Sequence, residues 1–117
     1  NHLSMSAICT GNGTKDHFDR LVGMQNMALV LNEMHFSDEY LSELLQGKEA
    51  LHRLGERFRK HNKFVMTGDE MQSINRTISI HEAQLTALRV IDVERAYDEV
   101  QRRLKYGVNV QKIGVAA

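Results

Sequence analysis

Six histidines, one cysteine and two basic clusters are the parts of this 117-residue chain with the means to do chemistry. Their spacing withholds it. A zinc-binding helix needs a second histidine one turn after the first, but Leu85 stands where His81-Glu82 would require it, and Cys9 has no other cysteine to share a metal. No metal and no cofactor are expected. His52 and His81 read as partly buried helix residues. Gly11-Asn12-Gly13 is too slight for a phosphate-cradling loop, and neither the serines, Cys9 nor the carboxylates show a nucleophile set beside a base. An enzyme is therefore not expected. Asn75-Arg76-Thr77 matches a glycosylation triplet but lies within a helical stretch and is discounted.

Arg53, Arg57, Arg59, Lys60, His61 and Lys63 form one basic run, and Arg102, Arg103 and Lys105 a second. Either could hold phosphates. Fifteen basic residues are nevertheless balanced by fifteen acidic ones, so solvated helix ends are the better reading and nucleic acid is not the expected partner. A helical DNA-binding or nucleoid-associated dimer using Arg57, Arg59, Lys60, Arg102 and Arg103 is the alternative. Arg89, Asp92, Glu94, Arg95, Asp98 and Glu99 are mixed-sign neighbours at helical spacing, mostly surface pairs; Arg89 borders apolar residues, as interface arginines do.

The elements that must carry these residues are helices. Zero prolines, no tryptophan and few aromatics fit an all-α chain. The strongest start signal is Met66-Thr67-Gly68-Asp69-Glu70-Met71, a capping box from Thr67 and Glu70 flanked by the two methionines of a hydrophobic staple. From it a long third helix is expected to run to Tyr106, with Met71, Ile74, Ile78, Leu85 and Leu88 as a lengthwise seam and His81 in its one gap. The seam resumes out of phase as Val93, Tyr97, Val100 and Leu104. Ile80, Ala83, Ala87, Val90 and Ile91 widen the apolar face between the two halves. Such a rod would be roughly 60 Å long and apolar on more than one side, so a second subunit is expected to cover it.

Residues 1–15 read as a flexible arm, with Asn1 to Ser4 an appended stretch ahead of Met5. The first helix begins near Lys15 or Asp16 and runs to Glu33 or Met34. It carries two stripes, Phe18, Leu21, Val22, Ala28 and Leu29 beside Met24, Met27, Leu31 and Met34. Methionine suits surfaces that receive a partner. Ser37 is the expected N-cap of the second helix, whose Tyr40, Leu44, Leu51, Leu54 and Phe58 keep seven-residue register with Gly47 at a seam position that admits a close backbone. Arg57, Arg59, Lys60 and His61 close it, with Asn62 as a left-handed cap. The short loop to Met66 folds helices two and three into an antiparallel hairpin. After Gly107 the alternating tail 107–117 reads as frayed. One helical domain, 16–106, remains between two flexible ends.

The lone cysteine suits a reducing compartment, and no apolar run reaches membrane-spanning length, so a cytoplasmic protein is expected. The segment Thr67-Gly68-Asp69-Glu70 through Ile80-His81-Glu82-Ala83-Gln84-Leu85, followed by Val93-Glu94-Arg95-Ala96, resembles a family of small bacterial helical proteins that includes antiactivators of LuxR-type quorum-sensing regulators such as LasR. The resemblance covers about a third of the chain and rests on overall look and length. It implies a homodimer without enzymatic activity that captures a transcriptional regulator and keeps it from dimerising and binding DNA. On the residues themselves, Met24, Met27, Leu31, Met34, Ile80, Leu88, Arg89, Val90 and Ile91 are the expected partner surface. Leu44, Leu51, Val93, Tyr97, Val100 and Leu104 are the expected dimer interface.

Overall fold

The Thr67 hydroxyl accepts from the Glu70 N–H at 3.2 Å, and the Glu70 carboxylate accepts from the Thr67 N–H at 3.0 Å. The helix starts where its residues say it should. The computed structural model describes residues 2–9 and 14–107, and the tail beyond Gly107 lies outside them. Five helices follow one another: α1 (His2–Cys9), α2 (Lys15–His35), α3 (Leu41–His61), α4 (Gly68–Ala87) and α5 (Val90–Lys105). The described residues are all-α and contain no strand.

Three helices were expected, and the two additional ones have separate causes. Residues 2–9, read as part of a flexible arm, form α1 because Met5 and Ile8 find an apolar seat against Leu21 and Met24 of α2. The rod from Thr67 to Tyr106 is broken at Leu88 and Arg89, both in extended backbone at φ −109°, ψ 155° and φ −79°, ψ 158°. No proline or glycine breaks it. Leu88 turns aside to pack with Val30, Leu31, Ala96 and Val100, which lays α5 on α2. The longest dimension of the molecule is 37 Å in consequence, well short of the rod.

The core is in three parts. Leu21, Met24, Leu51, Leu54, Ile74 and Ile78 meet Met5 and Ile8 at one end, where Phe64 stacks between Phe18 (centroids 5.2 Å apart) and Phe58 (4.0 Å) and closes the α3 to α4 loop. Ala28, Leu29, Leu44 and Ile80 fill the middle. Val30, Leu31, Ala96 and Val100 form the third part, under α5.

The α3 and α4 hairpin stands, and Gly47 is where the helices touch. A Cβ there would lie 2.1 Å from the Thr77 Oγ1 and 2.8 Å from the Gln25 Oε1. Asn62 takes the expected left-handed cap, φ 55° and ψ 32°. Ser37 does not cap α3. It sits in the preceding turn at φ 53°, and the buried Asn32 of α2 organises that turn instead. Its Nδ2 donates to the Ser37 carbonyl at 3.1 Å and its Oδ1 accepts from the Tyr40 N–H at 3.3 Å. His52 is exposed, against expectation, because α2 and α4 cover a different side of α3, whereas His81 is buried as its place in the seam requires.

Candidate functional site

Val90, Val93 and Tyr97 recur at helical spacing on a flank of α5 next to the one that Ala96 and Val100 bury. The turn at Leu88 and Arg89 swings this flank to face Leu85 at the end of α4 and Met27 on α2. A groove of about 590 Å³ results, lined by Met27, Leu85, Leu88, Val90, Val93 and Tyr97 with Glu94 and Asp98. Val90 keeps 75% of its surface exposed, Tyr97 55% and Leu85 43%. Large apolar side chains this open, gathered in a single concavity, make this groove the candidate binding surface. Its charged lining residues are both carboxylates, one turn apart on α5.

The expected sites divide between this groove and the core. Met27, Leu88 and Val90 of the expected partner surface line the groove, and so do Val93 and Tyr97 of the expected dimer interface. Met24, Leu31 and Ile80 are buried inside the chain, as are Leu44, Leu51 and Val100. For Leu31 and Val100 the reason is the break, which folds α5 back onto α2. Met24, Leu44, Leu51 and Ile80 are covered where α2, α3 and α4 of the same chain pack together. Met34, Ile91 and Leu104 are exposed but do not line the groove. Arg89 is exposed too, with its guanidinium on Asp92 at 3.1 Å. Leu85, Glu94 and Asp98 were not singled out as site residues. The i, i+4 spacing of the two carboxylates was a signal that they share a face, but which face depended on the break.

The arginines of the basic clusters are engaged with carboxylates. Arg57 of α3 grips Glu70 of α4 through two bonds of 2.9 Å and also donates to the Val65 carbonyl. Arg59 pairs with Glu56, and Arg102 with Glu99 at 2.6 Å. Arg103 is buried, bonded to Glu33 of α2 at 2.9 Å and to Glu99 at 2.6 Å, a clip that fastens the far end of α5. Hydrogen bonds from Arg102 and Arg103 hold the Glu99 carboxyl down at about 2, and the Arg57 fork holds Glu70 below its ordinary range. Cations committed in this way make a poor phosphate track. Of the expected DNA-contacting residues only Lys60 lies outside these pairs.

Behind the groove, Gln84 is buried and its Nε2 donates to the Ala28 carbonyl at 3.0 Å. Its Oε1 is thereby left to accept from the Nδ1–H of His81 at 3.1 Å. Burial pushes the His81 imidazole below its ordinary value, which favours the neutral ring. This relay ties α4 to α2 immediately before the break. No helix among the described residues is long and apolar enough to cross a membrane. Comparison with protein-family models, with curated proteins and with solved structures gives no match to the chain.

Proposed function

We propose that the chain is a non-enzymatic protein-binding regulator that takes an amphipathic helix of its partner into the groove between α2, the end of α4 and α5. One observation carries this: Leu85, Val90 and Tyr97 stand open in a single concavity with Met27, Leu88 and Val93 at its floor and sides. Helix-in-groove recognition uses apolar anchors one turn apart on one partner and a preformed apolar trough on the other. Glu94 and Asp98 select, among such helices, one with lysine or arginine beside its apolar stripe.

The specific form of the proposal is quorum-sensing antiactivation. The partner would be a LuxR-type transcriptional activator, held so that it cannot dimerise or bind DNA. Its support is the resemblance of the segment from Thr67 to Ala96, which supplies much of the groove. The test is co-elution and titration of the chain with purified LuxR-type regulators. A complex is expected, and Tyr97→Ala should weaken it by about 2 kcal/mol, or roughly thirtyfold, as loss of a central aromatic anchor does. No complex with any such regulator would remove the specific form. A complex indifferent to Tyr97 and Val90 would move binding away from the groove.

A further inference from the structure

We propose that α5 exchanges between two copies of the chain: Leu88 and Arg89 become helical, α4 and α5 join, and each α5 seats on the α2 of the other copy. This stands apart from partner capture by the groove and needs none of it. Three independent features lead to it.

The first is the joint. From Gln84 to Val93 the residues are Gln-Leu-Thr-Ala-Leu-Arg-Val-Ile-Asp-Val, with no glycine or proline, and alanine, leucine and arginine at the break itself are among the best helix formers. Local preference therefore runs against the observed break. Tertiary packing keeps it, together with the Asp92 carboxylate, which accepts from the Arg89 N–H at 3.2 Å and caps the start of α5. Rotating two residues from extended to helical backbone joins the helices and lets the Arg89, Val90 and Ile91 N–H groups take the carbonyls of Leu85, Thr86 and Ala87. Short connections held against local preference are the ones through which elements are exchanged.

The second is the seat. Among the helices, α2 alone packs extensively on α5. Val30 and Leu31 meet Ala96 and Val100, with Met27 and Leu88 beside them, and Arg103 locks to Glu33. Every contact between α2 and α5 can be remade between two chains, so exchange gives up none of them. A joined helix from Gly68 to Lys105 would be roughly 57 Å long, which carries α5 out of reach of its own α2.

The third is the apolar surface around the joint. Leu85 and Ile91 are exposed in the closed chain, at 43% and 41%. On a joined helix Leu85, Leu88 and Ile91 fall three residues apart, on one flank. Two joined helices crossing at their midpoints would cover these residues with each other, a contact the closed chain does not have. The second copy is thus the occupant that fits the uncovered flank.

The Glu33 to Arg103 pair gives a test specific to exchange. Glu33→Arg and Arg103→Glu variants are each unable to remake the pair within one chain or with themselves. In a mixed dimer with exchanged α5, one seat would set the two substituted side chains against each other, the pair reversed in sign. The other seat would hold the native Glu33 and the native Arg103. The two full-length variants, one isotope-labelled, are unfolded, mixed, refolded and weighed by native mass spectrometry and sedimentation. Heterodimer is expected at least about tenfold over either homodimer, since breaking a buried ion pair costs more than that factor. The chain carrying both substitutions shows that the reversed pair folds.

Val90→Pro provides the second arm. Val90 is the first residue of α5 and follows an extended residue, so proline fits the closed chain, whereas in a joined helix it would collide with the Thr86 carbonyl. Placed in both variants, it should abolish the heterodimer while the fold is kept. A mixture without excess heterodimer, where the doubly substituted chain folds, overturns the proposal. So does a heterodimer that survives Val90→Pro in both chains.

Discussion

At Gly47 the space for a single hydrogen is what lets three helices meet. The Cβ that alanine would add falls 2.1 Å from the Thr77 hydroxyl oxygen, and both Thr77 Oγ1 and Gln25 Oε1 are buried there without a hydrogen-bond partner among the described residues. Gly47→Ala should therefore destabilise by about 1 to 3 kcal/mol despite the better helix propensity of alanine. Gly23→Ala, with nothing within 4 Å of the added atom, should stabilise, and urea unfolding of the pair checks both. His81 makes an acid-sensitive contribution of defined sign. Its folded value lies below its ordinary 6.5, so the stability it contributes is complete above that pH and is lost as pH falls through the depressed value. Glu70 and Glu99 are also depressed, and their contributions disappear lower, below about 4.5 and, for Glu99, towards 2. His81→Gln should flatten the upper part of the stability profile only. The close approach at Gly47 and the burial of His81 were legible from their places in heptad seams. Gln25, Asn32 and Thr77 were not, because a polar residue mid-helix gives no local sign of which backbone group it will meet.

Among the elements, α1 and the break between α4 and α5 were the two that the sequence concealed. The arm looked unpatterned because α1 has only Met5 and Ile8 to bury, too few to produce a period. The break was hidden for the opposite reason. Helix propensity there favours continuing, and the stop comes from Leu88 meeting Val30 and Leu31, residues more than fifty positions earlier, with Asp92 capping the Arg89 N–H of the new start. Where start and stop are written locally, as at Thr67 and Asn62, sequence and structure agree. The turn before α3 shows the intermediate case: a local cap was expected from Ser37, and a side chain from the previous helix does the work. Asn32→Ala should accordingly cost about 1 to 3 kcal/mol, the loss for leaving buried backbone groups unpaired. Amide exchange at Tyr40, whose N–H binds Asn32, should accelerate with it, which a general loosening of α2 would not single out.

For the whole molecule, the groove and the core compete for the same stripe of apolar residues, and the fold decides between them by bending. Six of the expected surface residues lie in the core, two of them where α5 meets α2, and five others converge on a concavity with an acidic edge. That edge gives a prediction at this scale. Reversing Glu94 and Asp98 to lysine should slow association with a basic helical partner and remove most of its salt dependence, with a smaller effect on dissociation, as stopped-flow at two ionic strengths would record. The two extended residues between α4 and α5 also decide which instruments can see this molecule change. Straightening them adds only a couple of residues to the helical content, so circular dichroism would register almost nothing. The same event lengthens the particle and doubles its mass, which scattering and sedimentation would report at once.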